Sequence, residues 1–126
     1  METIYLDTHV VVWLFSGETH KISNKVLEII EESELLISPM VVLELEFLYE
    51  IGRLNYKQDE ILSSLSQSID LKVCNLSFAT VAKESTKHNW TRDPFDRLIV
   101  ANAICKSSRL VSRDRKIRDN YNMAIW

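Results

Sequence analysis

Five acids stand at positions from which they could converge on one point: Asp7, Glu44, Asp93, Asp96 and Asp114. Asp7 stops the apolar run Ile4-Tyr5-Leu6, and Asp114 follows Leu110-Val111-Ser112-Arg113. Glu44 lies among Val41, Val42, Leu43, Leu45 and Phe47, while Asp93 and Asp96 straddle Pro94. Carboxylates gathered at one spot repel each other and persist there where a cation offsets their charge. An all-oxygen donor set suits Mg²⁺ or Mn²⁺ rather than zinc. One or two such ions lower the pKa of a water and steady both oxygens of a phosphodiester displacement, so hydrolysis needs no protein nucleophile. Each acid also has an ordinary structural role open to it: Asp7 and Asp93 as helix starters, Asp96 in the first turn of a helix, Asp114 in a turn. The conjunction, not any single acid, favours a site.

The elements that must position these acids alternate in type. Thr3–Leu6 reads as a buried strand ending at Asp7, and Thr8 as the cap of a helix reaching Ser16. Ser23 caps a second helix through Glu32, with Val26, Leu27, Ile29 and Ile30 on its apolar side. Leu35–Ile37 is a strand, and Ser38-Pro39 opens a helix that runs to Gly52 as its C-terminal stop. Gln58–Ile69 reads as helix, Leu71–Cys74 as strand, and Ser77–Lys87 as helix capped by Ser77. Asp93-Pro94 starts a helix through Ser107; Leu110–Val111 is a strand, Arg115–Asn120 a helical turn and Met123–Ile125 a last strand. Strands separated by helices predict an α/β fold with a central, mostly parallel sheet flanked by helices on both faces. Such sheets carry their sites beyond the carboxyl ends of the strands, where Asp7 and Asp114 fall.

Composition sets the outer limits. The 126 residues are about 46% apolar, with two glycines, two prolines and no linker or repeat, which predicts one domain over residues 1–126. No apolar run approaches the roughly 20 residues of a membrane span, and no basic-then-apolar leader is apparent, so the expectation is a cytoplasmic protein without membrane contact. Cys74 and Cys105 read as small buried thiols, with no zinc spacing around them. The net charge of −3 alone argues against a nucleic-acid partner. Its distribution does not: residues 1–86 carry −8, residues 87–126 carry +5, and Lys106–Arg118 holds six basic residues against one acid. A basic face of this kind gathers polyanions even on an acidic protein. Arg92, Arg97, Arg113, Arg115 and Lys116 are the candidates for an RNA backbone.

The sequence resembles the PIN-domain family, in particular the VapC-like toxins of type II toxin–antitoxin pairs. The resemblance rests on Tyr-Leu-Asp-Thr-His-Val-Val-Val-Trp (5–13), Ser38 with Glu44 six residues on, and Gly52-Arg53-Leu54. It continues through Thr-Arg-Asp-Pro-Phe-Asp-Arg-Leu-Ile-Val-Ala-Asn-Ala (91–103), Leu-Val-Ser-Arg-Asp (110–114) and the terminal Ala-Ile-Trp. It implies a PIN-like fold and a Mg²⁺- or Mn²⁺-dependent endoribonuclease toxin that hydrolyses RNA by a metal-activated water. It implies metal ligation by Asp7, Glu44, Asp96 and Asp114, with Asp93 as an extra acid that either binds metal or caps its helix. Thr8 and Ser112 would orient ligands from behind; Ser112 stands where threonine is common, and Ile117 where an aromatic is common. A cognate antitoxin and a homodimer are implied as partners. His9 reads as a structural or ligand-orienting residue, since this chemistry needs no imidazole base. Trp13, Trp90 and Trp126 read as core or interface packing rather than base-stacking surfaces. Two other readings share the pattern, an RNA-processing PIN nuclease without an antitoxin and a non-catalytic RNA- or protein-binding PIN module. Phosphotransfer at an acidic site is a further alternative, for which Asp7-Thr8-His9 lacks the usual Asp-x-Asp start.

Overall fold

In the computed structural model, which describes residues 1–126, five strands form one sheet: Thr3–Leu6 (β1), Glu34–Ile37 (β2), Lys72–Val73 (β3), Leu110–Val111 (β4) and Ala124–Ile125 (β5). Their order is β3-β2-β1-β4-β5, and every neighbouring pair is parallel. The helices are Thr8–Ser16 (α1), Asn24–Glu31 (α2), Pro39–Glu50 (α3), Gln58–Ile69 (α4), Phe78–Ser85 (α5), Pro94–Cys105 (α6) and Arg115–Asn120 (α7). By the right-handed rule for parallel crossovers, the connections toward β3 and those returning to β4 and β5 carry helices to opposite faces of the sheet. No helix is long and apolar enough to cross a membrane.

β1 is the middle strand, covered on both faces. That is why Ile4, Tyr5 and Leu6 form a continuous buried run rather than an alternating one. They join a core of 24 residues that includes Val10, Ile37, Leu45, Ile99, Leu110 and Ile117. Each fully buried aliphatic side chain contributes roughly 1.5–3 kcal/mol. The sheet is all-parallel, tighter than the mostly parallel arrangement expected, and β3 is two residues long where four were expected.

The chain order reverses at β1. From there it steps outward to β2 and β3, then returns to β4 on the other side. The register pairs Leu6 with Val111, and the Asp7 N–H donates to the Val111 carbonyl at 3.0 Å. This crevice, at the carboxyl ends of β1 and β4, is the switch point where open parallel sheets bind ligands.

Helix ends depart from expectation in instructive places. The cap of α1 is Asp7, not Thr8: Asp7 keeps extended backbone and its carboxylate accepts from the Thr8 N–H at 2.8 Å. The turn therefore comes one residue early, and Thr8 becomes the first helical residue with its hydroxyl free for another partner. Ser77 precedes α5 without making a side-chain capping bond. Ser38 does cap α3, accepting from the Met40 N–H at 3.1 Å. Gly52, at φ +81°, closes α3 with paired bonds from Gly52 N–H to Tyr49 and from Arg53 N–H to Leu48. α6 stops at Cys105 rather than Ser107, because Ser107 takes the same left-handed closing position at φ +51°. A Cβ is disfavoured there. Ser107→Gly is expected to stabilise the protein by about 0.5–1 kcal/mol, the relief of that clash less the greater freedom of an unfolded glycine. Urea unfolding with an unchanged slope would measure it.

Candidate active site

The five acids singled out in the sequence line one cavity of about 470 Å³, together with His9, Trp13 and Arg113. Asp7 comes from the end of β1, Glu44 from the second turn of α3, Asp93 and Asp96 from the start of α6, and Asp114 from the start of α7. No three of them close on a single point at ligating distance; they ring the space instead.

Two buried hydroxyls fix the acids in place. Ser112 Oγ donates to Asp7 Oδ2 at 2.6 Å and accepts from the Asp114 N–H at 3.1 Å, so it ties two acids together. Thr8 Oγ1 donates to Glu44 Oε1 at 2.5 Å. Both hydroxyl residues are fully buried, and Asp7 itself is only 7% exposed. Asp114 and Asp93 each use one oxygen as a helix cap. Asp114 Oδ1 accepts from the Lys116 and Ile117 N–H groups, and Asp93 Oδ1 from those of Phe95 and Asp96. Capping and lining the cavity are thus compatible for both residues. Thr91, which the sequence reading passed over, is buried and accepts from the Asp93 N–H at 3.1 Å, shaping the turn that aims this acid. Its signal was a small hydroxyl two residues before an Asp-Pro helix start.

The electrostatics are those of crowded acids. Burial pushes the Asp96 carboxyl up to about 7, helped by the charges of Asp93, Asp7, Asp114 and Glu44. Burial also raises Asp7, against the pull of the Ser112 and Thr8 hydrogen bonds. Glu44 rises for the same first reason, opposed by Thr8 and assisted by the Asp7 charge. The donor set lining the cavity is five carboxylates and the His9 imidazole, with no thiol among the lining residues. That chemistry fits a hard divalent cation such as Mg²⁺ or Mn²⁺.

Of the basic candidates, only Arg113 lines the cavity, its guanidinium 5.9 Å from the Trp13 ring centre. Arg97 does not stand free: its Nε–H donates to the Ser85 carbonyl at 3.2 Å and ties α6 to α5. Arg115 is exposed and 3.9 Å from Asp119, and Arg92 and Lys116 are exposed outside the cavity lining. The basic tract is not one face, since Arg109 pairs with Glu2 at the opposite end of the sheet. Sequence periodicity could not show this, because the tract spans a helix end, a strand and a turn.

His9 and Trp13 sit one helical turn apart on α1 and both line the cavity, with ring centres 6.1 Å apart. Trp13 also packs on Trp126 at 5.6 Å, and Trp90 Nε1–H donates to His88 Nδ1. Glu46 faces elsewhere and accepts from the Gln58 N–H at the start of α4. Cys74 is buried and accepts from the Tyr5 hydroxyl at 3.0 Å, whereas Cys105 is half-buried rather than buried.

Comparison with known proteins gives the family and the fold. A family model described as PIN domain matches residues 4–122. Ribonuclease VapC22 of Mycobacterium tuberculosis is 32% identical over 132 residues, spanning the whole of both chains. Among solved structures, VapBC2 from Rickettsia felis bound to a DNA fragment from their promoter is similar at a TM-score of 0.69 and 19% identity, covering 98% of this chain and 97% of that one. A toxin–antitoxin complex from Klebsiella pneumoniae gives a TM-score of 0.67 at 18% identity, covering 98% and 96%.

Proposed function

This chain belongs to the PIN domain family, and from that membership we propose that it is a single-domain, metal-dependent endoribonuclease acting as the toxin of a toxin–antitoxin pair. The observation that carries the reading is the cavity at the sheet's switch point, lined by five carboxylates on four separate elements. A relative aligned over the whole of both chains is named a ribonuclease, and solved structures of this fold include toxin–antitoxin complexes. An antitoxin that covers the site and a homodimer follow as partners, and the cytoplasm as the place where RNA is met.

Asp7, Glu44, Asp96 and Asp114 would hold one or two Mg²⁺ or Mn²⁺ ions, with Asp93 beside them. When bound, the cation supplies an activated water and neutralises charge as an RNA phosphodiester is displaced in line. The protein's own part is positional. Ser112 and Thr8 lock Asp7 and Glu44 into single orientations, so no side-chain freedom is lost as substrate arrives. Arg113, 5.9 Å from the Trp13 ring centre and lining the same cavity, meets a phosphate beside the acids. Arg92, Arg115 and Lys116, exposed nearby in sequence, extend the contact along the backbone. The expected products carry a 5′-phosphate and a 3′-hydroxyl.

Purified protein given single-stranded RNA should cut it with Mg²⁺ and stop in EDTA; cutting that continues in EDTA overturns the reading. Ser112→Ala removes the hydroxyl that links Asp7 to Asp114 and is expected to weaken Mg²⁺ binding and cleavage about 10–100-fold. Ser112→Thr, which keeps the hydroxyl, should retain most activity in the same assay. A short neighbouring gene whose product blocks the cutting would separate the toxin from an RNA-processing nuclease.

A further inference from the structure

Beside the acidic cavity lies a second, larger one of about 650 Å³. The two are adjacent through α1, since His9 and Trp13 line both. Its walls are aromatic and apolar where the first is acidic: Phe15 and Tyr56 meet edge-on with ring centres 5.2 Å apart, and Leu54 and Val12 lie alongside. Tyr56 is 50% exposed, a large aromatic ring that the core does not use. Arg53 and Asn55 also line the space; Arg53 makes no ion pair in the structure. These three residues share the short loop between α3 and α4.

The charges around Trp13 connect the two spaces. Lys21, from the larger cavity, and Arg113, from the acidic one, each lie 5.9 Å from its ring. Lys21 is also held by Glu18, the one acid in the larger lining. A nucleic-acid strand crossing from one cavity to the other would meet a cation in each, Lys21 in the larger one and Arg113 in the acidic one, both near Trp13. It would also find an aromatic recess with an amide at its rim. Unpaired RNA bases are read in this way, by stacking on aromatic rings and by hydrogen bonds to their edges.

We propose that this cavity is a subsite for an unpaired base of the RNA substrate next to the cut phosphodiester, with Tyr56 as the stacking surface and Asn55 reading the base edge. The proposal rests on the ribonuclease reading above and adds to it a source of sequence preference. A purely apolar peptide would leave Arg53 and the Asn55 amide without a matching partner, and an acidic one would pair with Arg53 but leave the ring faces bare. The base-and-phosphate pattern matches both.

The test is cleavage of a single-stranded RNA pool with randomised positions, in Mg²⁺, with the cut ends sequenced. Wild type, Tyr56→Ala, Tyr56→Phe and Asn55→Ala are compared, with melting curves for each. Tyr56→Ala should lower kcat/KM about tenfold or more and flatten the preference at one position near the cut. Tyr56→Phe should retain both, and Asn55→Ala should change which base is preferred there with little change in melting. Wild-type cutting with unchanged rates and profiles in the Tyr56→Ala and Asn55→Ala variants overturns the subsite and leaves the cavity to a protein segment. A wild type that cuts no RNA overturns the ribonuclease reading itself, a different result from the same experiment.

Discussion

Asp7→Asn is expected to reduce Mg²⁺-dependent RNA cleavage on the order of a thousandfold while leaving the melting temperature equal to or above that of the wild type. The two halves have one cause. Asp7 is 7% exposed, and burial raises its pKa, so the fold tolerates the ionised carboxylate at a cost. Asparagine has the same shape. Its carbonyl can accept from the Thr8 N–H, and its amide can donate to Ser112 Oγ, which accepts as readily as it donates. Structure is thereby kept and the charge is lost. Residues held for function against the interest of stability behave in this way. A second readout separates ligation from mere positioning: Mg²⁺ should raise the wild-type melting temperature by mass action and leave that of Asp7→Asn nearly unmoved. A variant that still cuts RNA, or one that melts far below the wild type, would sink the assignment.

The second large effect is on pH. Asp96 moves from an ordinary 3.8 to about 7, first through burial and then through its four acidic neighbours. A carboxyl raised in the fold binds its proton more tightly there than in the unfolded chain. Ionising it between pH 4 and 7 therefore lowers stability, and Asp7 and Glu44 act in the same direction. In EDTA the protein should melt at progressively lower temperature as pH rises through that window. Cation binding has the opposite slope, because protons and Mg²⁺ compete for the same oxygens. With Asp96 as the controlling group, the apparent affinity for Mg²⁺ should fall about fiftyfold from pH 7 to pH 5. Cleavage at limiting Mg²⁺ should follow and recover when the ion is raised. A cleavage rate flat from pH 5 to pH 8 at limiting Mg²⁺ would rule out an Asp96 that must be ionised.

Much of this architecture was legible in the chain. Ile4-Tyr5-Leu6 reads as a short strand covered on both faces, since no alternation interrupts it, and an acid directly after such a strand emerges at its carboxyl end. Asp93-Pro94 and Ser38-Pro39 announced helix starts by chemistry that is local to two residues, and both stand where expected. The acids could be named because their types and order resemble a family whose members place them together.

Other features depend on partners far apart in sequence. Thr8 is expected both as a cap and as a ligand-orienting hydroxyl; the cap is Asp7, and the acid that the Thr8 hydroxyl holds, Glu44, lies 36 residues away. Ser112 lies 105 residues from the carboxylate it orients. Arg97 reads as a candidate for the RNA backbone and Arg109 as part of the basic tract, yet they are spent on Ser85 and Glu2. The carboxylate cluster, finally, was a list of residues until β4 was set beside β1. Charge, periodicity and capping are short-range properties written in the residues themselves. Which hydroxyl meets which acid, and how closely buried charges raise one another, depends on distances that only the packed chain defines.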